Sequence, residues 1–220
     1  ASNYRIWIID NASQDGSVTY IRSLAGINSI LNRVNRGYGA ACNQGILRGQ
    51  GQYLVLLNSD IQVTPGWLPP LVKILQDNPR AALVGPRLVT PDGFIAGAGV
   101  VGTYSHPIIQ GWGEPDEACR YNKIQEVISI SGCCMMLRRG LLPALGLFDE
   151  DYFHYFEETD YCYRARLQGF KVIYCPNSVV IHHVNGSCRN LDRLNHYYLA
   201  AKKRFFQKWG LEDRYPALPG

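Results

Sequence analysis

Apolar and polar positions alternate in two styles along the 220 residues. In the first ninety, each short apolar run is followed by a polar, turn-forming loop and then by a stretch of helical period, the layout of strands alternating with helices. Arg5–Ile9 is such a run, 10–16 is its loop, and a helix is predicted from Ser17 to Leu24. A strand near Ile27–Asn32 leads through the glycine-containing loop Asn35–Asn43 into a helix that carries on to about Arg48. Tyr53–Leu57 is a third strand, Asn58-Ser59-Asp60 a turn, and a helix from about Pro65 stops at Asn78-Pro79. This half predicts a doubly wound α/β arrangement, a mostly parallel mixed sheet with helices on both faces.

The second half is less regular. Val84–Val89 is strand-like, and Pro91-Asp92-Gly93 is a turn of the hairpin type. Residues 95–122 carry many glycines and aromatics with weak periodicity and predict a flexible excursion. Ile128–Leu137 is a long strand signal, 138–145 a short helix, and Glu157–Gly169 a helix with a glycine stop. Lys171–Cys175 and Ser178–Ile181 are strand material, and Leu191–Trp209 is a final amphipathic helix. With no linker-like tract, residues 1–220 are expected to form one domain, divided near residue 90 into two functional halves.

Composition narrows the partners. The formal charge of +4 comes from scattered Lys and Arg and one late cluster, Lys202-Lys203-Arg204, without a basic stripe interleaved with aromatics, so a nucleic-acid partner is not expected. Seven cysteines without disulfide or zinc spacing suit a reducing, cytoplasmic setting. No apolar run approaches bilayer length and no signal peptide precedes the first strand, although the chain starts at Ala1 without a Met.

Asp60 is the first candidate for chemistry. In open α/β sheets ligands bind beyond the carboxyl ends of the strands, and a hard divalent cation prefers carboxylate oxygen, so Asp60 at the end of an apolar strand suggests a metal-diphosphate site. An ordinary turn is the plain alternative. Glu157, Glu158 and Asp160 form a second acidic group, which suits either general-base work or the favourable start of a helix.

Taken in order, Ile8–Ser17, Asn35–Gly45, Leu56–Asp60, Ser131-Gly132, Gly146–Glu150, Phe156–Asp160 with Arg164 and Arg166, and His182–Ser187 resemble the inverting glycosyltransferases of family 2, and within them bacterial rhamnosyltransferase-like members acting on cell-surface polysaccharides. The resemblance implies a GT-A-like nucleotide-diphospho-sugar transferase fold. By it, residues of about 1–90 form the nucleotide-sugar half and about 91–220 the acceptor and catalytic half. Asp10 would contact base or ribose, and Asn35, Gly37 and Asn43 form the second nucleotide-facing loop. The Asp-x-Asp element is reduced here to Asn58-Ser59-Asp60, leaving Asp60 for Mg²⁺ or Mn²⁺ with Asn58 as amide or ribose contact. His182, preferred over His183, would be the second metal ligand. The base falls on Glu158, with Glu157 and Asp160 open, and Arg164 or Arg166 would neutralise the cluster or touch diphosphate.

The implied partners are a nucleotide-diphosphate sugar donor and a saccharide or lipid-linked acceptor. Tyr197, Tyr198, Leu199, Phe205, Phe206 and Trp209 beside Lys202, Lys203, Arg204 and Lys208 could lay the last helix on the inner face of the cell membrane, although such a helix more often packs on its own domain. The aromatic group Trp112, Tyr121, Tyr152, Phe153, Tyr155 and Phe156 reads equally as an acceptor wall or as packing. Family members begin with a mid-sheet strand, and this chain starts at their second, so the sheet is expected to lack a central member, which leaves room for swapping into a homo-oligomer. The expected activity is inverting, metal-assisted sugar transfer. An inactive sugar-nucleotide or glycan-binding module and a sugar nucleotidyltransferase are the alternatives.

Overall fold

The computed structural model describes residues 4–117, 120–183 and 191–212. The first sheet holds only β1 (Trp7–Asp10) and β2 (Asn28–Leu31), paired in parallel, with α1 (Ser17–Ser23) between them in sequence. The second has seven strands. Its main path runs β3 (Tyr53–Leu57), β10 (Cys134–Arg138), β5 (Ala81–Val89), β11 (Lys171–His182) and β4 (Ile61–Val63), with β6 (Ile95–Gly97) on β5 and β9 (Gln125–Glu126) on β11. Among the described residues β1 and β2 pair only with each other, and β3 stands at an edge of the larger sheet. The sheet is thus divided where the sequence predicts a missing central member. α2 (Tyr38–Arg48) bridges the two parts, with Ile46 in the main core and Gly45 facing Ile9 of β1.

The sheet is mixed, as expected, but its pairings are mainly antiparallel. β10 runs against both β3 and β5, and of the ladders in the larger sheet only β5 with β11 is parallel. Strands β3, β5 and β11 nevertheless all point the same way, so their carboxyl ends share one edge. Alternation along the strands sorts side chains to two faces. Met136, Ile173 and Cys175 meet Leu71 and Leu75 of α3 (Leu68–Asp77), whereas Met135, Leu137, Val172 and Tyr174 share a cluster with Phe148, Tyr161 and Ala165 from and around α5 (Glu157–Leu167).

Several expected boundaries move. The long strand over 128–137 is strand only from Cys134, since Ser129 bridges to Val100 and Gly132 turns the chain. The two strands after Lys171 are one, β11, with an irregularity between Cys175 and Val179 that absorbs Pro176. The excursion 95–122 contains a hairpin, β7 (Val100–Thr103) with β8 (His106–Ile109), and is tied down by buried Arg87. Arg87 donates to Tyr174, Asp116, the carbonyls of Arg120 and Tyr121, and Asn122. Pattern-reading missed this order because one buried side chain, and not periodicity, supplies it.

Of the two expected readings of the last helix, packing on its own domain accounts for its main aromatics. α6 (Leu191–Trp209) turns Tyr198, Phe205 and Phe206 into a buried cluster with Tyr152 and Phe156. Two of its cations are engaged as well, Arg204 with Asp149 and Asp151, and Lys208 with Asp149 and Asp160. Among its described large apolar side chains only Leu199 is strongly exposed, at 56%. No described helix is long and apolar enough to cross a membrane.

Candidate active site

Three loops meet at the carboxyl edge of the strands. After β1, Asp10 is buried, and its Oδ1 accepts from the amides of Ala12 and Ser13, each at 3.1 Å, winding the loop back on itself. Asn11 then donates to Asn35 Oδ1 (2.9 Å) and to the Gly37 carbonyl (3.0 Å), and its own Oδ1 accepts from Asn32 and from the Arg36 amide. Asn32 and Gln44 exchange two amide bonds. Gly37 opens α2 at φ 86°, and a Cβ there would stand 2.5 Å from the Phe153 carbonyl, so both backbone and space require glycine. Asn43 accepts from the Phe148 amide (2.9 Å) and donates to its carbonyl (2.9 Å) and to Glu150 (3.0 Å). It ties α2 to the loop ahead of α5 with its polar atoms spent.

The second loop is 131–133. Tyr38 donates its hydroxyl to the Gly132 carbonyl at 2.5 Å, and a Cβ on Gly132 would lie 3.3 Å from that of Glu158. The third is the turn after β3, where the Asn58 amide donates to the Cys133 carbonyl at 2.9 Å. Cys133 lies within electrostatic reach of two acidic groups. Burial, with the charges of Asp60 and Glu158 added, pushes its thiol up to about 12. The five cysteines among the described residues are all free.

Asp60 and His182 meet. His182 Nε2 lies 3.5 Å from Asp60 Oδ2, and the His183 amide donates to the Asp60 carbonyl at 2.9 Å. The His183 ring turns instead to Gln62, at 3.4 Å. The residues after His183 in that motif, through Ser187, lie outside the described residues. Asp60 Oδ1 is buried without a partner, a rare condition for a carboxylate oxygen. One carboxylate with an unmet oxygen and one imidazole suit a divalent cation that completes its shell with phosphate oxygens and water. Among the described residues no group of three His, Cys, Asp or Glu could hold a metal by itself.

The acidic residues of α5 separate sharply. Glu157 is 4% exposed with Oε2 unpartnered, and burial together with the neighbouring Glu158 charge drives its pKa well above the ordinary value. Glu158 is also raised by burial, against the amides that favour its charge, and its Cβ and Cγ stand beside Gly132. Asp160 has no exposure and four partners: Arg164 Nε at 2.9 Å, Lys208 Nζ at 2.7 Å, Trp209 Nε1 at 2.9 Å and Tyr152 Oη at 3.5 Å. It joins α5 to α6. Arg164 spends its remaining donors on the carbonyls of Leu145 and Leu147, and Arg166 lies over Tyr104. The Arg164 guanidinium is thus occupied inside the fold, whereas Arg166 Nε is buried without a partner.

Contacts thus run from Asn11 through Gly37 and Tyr38 to Gly132 and Glu158, and from Cys133 through Asn58 to Asp60 and His182, with the Glu158 charge felt at Cys133. The family model for glycosyl transferase family 2 matches residues 1–146. The chain belongs to that family. It is 25% identical over 202 residues to the N-acetylglucosaminyl-diphospho-decaprenol L-rhamnosyltransferase of Mycobacterium tuberculosis, covering 81% of this chain and 66% of that one. The O-antigen biosynthesis protein RfbC of Myxococcus xanthus is 30% identical over 162 residues, 69% of this chain and 12% of its own. The chain spans less than two thirds of each relative's length.

Solved GT-A glycosyltransferases share the fold. A mannosyltransferase from Pyrobaculum calidifontis, in complex with GDP-Man and Mn²⁺, superposes over 93% of this chain and 55% of its own with a TM-score of 0.64 at 16% identity. GalNAc-T7 with UDP, GalNAc and Mn²⁺ does so over 92% and 41%, with a TM-score of 0.65 at 18% identity. Sequence reasoning missed Tyr38, Asn11 and the Phe153 carbonyl as builders of the site. Their neighbours in the chain were the signal, since Asn11 and Tyr38 lie within the two glycine-containing motifs.

Proposed function

We propose that this family 2 domain transfers a glycosyl group from a nucleoside-diphosphate sugar to a hydroxyl of a saccharide or lipid-linked acceptor, with inversion and metal assistance. The observation that carries this reading is that Asp60, paired with His182, and Glu158 lie near enough to one another for both charges to act on the Cys133 thiol. Asp60 Oδ1 and His182 Nε2 are the atoms available to hold Mn²⁺ or Mg²⁺. When bound, such an ion offsets the negative charge that builds on the departing diphosphate.

Glu158 takes the proton from the acceptor hydroxyl as its oxygen bonds to the anomeric carbon, while the bond from that carbon to the diphosphate oxygen breaks. Attack from the face opposite the leaving group inverts the configuration. Burial raises the Glu158 pKa and makes its carboxylate a stronger base than an exposed one. The Asn11–Asn32–Asn35–Gln44 amide network fixes the loops that would face the nucleotide, with Asp10 holding the first turn and Gly37 letting backbone approach. The M. tuberculosis relative, whose acceptor is lipid-linked by its name, supports an acceptor of that kind and a place in cell-surface glycan synthesis.

Glu158→Gln is expected to lower turnover by about 10²–10⁴-fold while donor affinity by titration calorimetry holds. Undiminished turnover removes Glu158 as the base. Asp60→Asn is expected to abolish the Mn²⁺ dependence of nucleoside-diphosphate binding, and an unchanged metal titration removes that ligand. A sugar-nucleotide binding module without turnover is the second reading, favoured by the separation of β1 and β2 from the larger sheet. Metal-dependent donor binding with no transfer or hydrolysis would decide for it.

A further inference from the structure

The chain enters α5 through an unusual backbone. Tyr155 and Phe156, consecutive and neither of them glycine, both adopt left-handed dihedrals, at φ 71° and 66°. Phe156 is the N-cap of α5, and no side chain caps the helix. A left-handed residue other than glycine costs about 1–2 kcal/mol. Two in sequence persist only where surrounding packing dictates them, and such positions gather at functional sites. Here they immediately precede Glu157 and Glu158.

What dictates them comes from two sides. On one, the Phe153 carbonyl accepts from the Tyr38 amide at 3.0 Å and closes against Gly37. On the other stands α6. Tyr197 packs on Phe153 with centroids 4.8 Å apart, Tyr198 on Tyr155 and Phe156 at 5.8 and 5.6 Å, and Phe205 on Phe156 at 5.4 Å. Below them Asp160, one turn into α5, is gripped by Lys208 and Trp209 of the same helix. The Asp160 amide closes the first turn onto the Phe156 carbonyl at 2.8 Å. The grip on Asp160 therefore acts on the turn that carries Glu158.

We infer that α6 is a brace that sets the direction of the acidic pair, and that Phe205 and Trp209 are positioning residues for the base. The inference rests on the transfer reading above and deepens it. A helix start is ordinarily fixed by its own capping side chain. In this chain the job falls to a helix some 35–50 residues further on, so the aim of Glu158 toward Gly132 depends on contacts that touch neither donor nor acceptor.

Trp209→Phe keeps an aromatic ring but deletes the N–H that reaches Asp160, together with part of the indole's bulk. With the full chain, amide hydrogen exchange over residues 156–160 should accelerate, and kcat should fall roughly 10–100-fold with donor Kd unchanged, as expected of a misplaced catalytic group. Phe205→Leu, which keeps apolar bulk but not the ring on Phe156, should move the same two readouts in the same direction. Unchanged exchange in both variants overturns the brace. Faster exchange with undiminished kcat overturns its positioning role alone, and a parallel loss of donor affinity does likewise by marking a general structural effect. A wild-type chain that binds donor but never turns it over overturns the transfer reading, and the catalytic part of this inference goes with it.

Discussion

The two sides of the cleft handle their polar atoms in opposite ways. On the side of β1, β2 and α2, the side chains pair with their own fold: Asp10 Oδ1 with two loop amides, Asn35 Oδ1 with Asn11 and Gly37, Asn43 with Phe148 and Glu150. On the side of β3 and α5, Asp60 Oδ1 and Glu157 Oε2 are buried with no partner. A buried unpaired oxygen costs about 1–3 kcal/mol, and a native chain keeps one where something else is meant to meet it. On the proposed reading the first side is scaffold and the second is where a ligand would meet the deficit.

The largest test of that contrast is internal to one helix. Asp160 and Glu157 are both buried acids on α5, yet one has four partners and the other an orphan oxygen. Asp160→Asn leaves Lys208 and Arg164 facing a neutral amide in a buried place, and urea denaturation is expected to show a loss of about 3–5 kcal/mol. Glu157→Gln is expected to leave stability within about 1 kcal/mol or raise it, since a neutral isostere removes a carboxylate that burial already disfavours. Equal losses in the two variants break the distinction between scaffold acid and site acid.

Why the sequence spoke clearly about some of this and not the rest follows from the same contrast. Strands such as Tyr53–Leu57 and the carboxylate after them are local signals, readable from an apolar run and its end. Gly37 was legible as a close approach, but what approaches it, the Phe153 carbonyl, lies 116 residues away. The acidic group 157–160 is legible as acidic and no further: its division into Glu157, Glu158 and Asp160 depends on α6, which arrives through packing. Asn43 reads as a ligand contact and Arg164 as either a neutraliser of the acidic cluster or a diphosphate contact, and the bonds of Asn43 to Phe148 and Glu150 and of Arg164 to Asp160, Leu145 and Leu147 show the use the fold makes of them. Arg87 shows the same limit from the other direction, since it orders an excursion that has no periodicity to read.

Asn43 gives the next sharpest test. Asn43→Ala strands the Phe148 amide and carbonyl and should cost about 2–3 kcal/mol by thermal or urea unfolding, with nucleoside-diphosphate affinity intact in the protein that remains folded. A selective loss of nucleotide binding with little loss of stability would return Asn43 to the ligand and blur the line between the two sides.

The smallest expected effect is on pH, and it has opposite signs in two places. Burial alone would raise Asp149, but Lys208, the Asp151 amide and Arg204 outweigh it and hold the carboxyl at about 2 against an ordinary 3.8. A depressed carboxyl contributes stability that is present above its unfolded value and lost as pH falls through its folded one, so α6 should loosen between pH 3.8 and about 2, by roughly 2 kcal/mol. Glu157 and Glu158 run the other way. Their folded values are raised from 4.5 by burial, so they bind protons in the native state that the unfolded chain has released. Their contribution is complete below pH 4.5 and declines as pH rises toward those raised values. Unfolding free energies measured from pH 2 to 8 should therefore rise with pH at the acid end and sag above it. Glu157→Gln should remove part of the sag and leave the acid limb untouched, while Lys208→Met should flatten the acid limb. A sag that survives Glu157→Gln at full size would mean that the orphan oxygen finds a partner in solution, and the ligand-facing side of the cleft would lose its distinguishing mark.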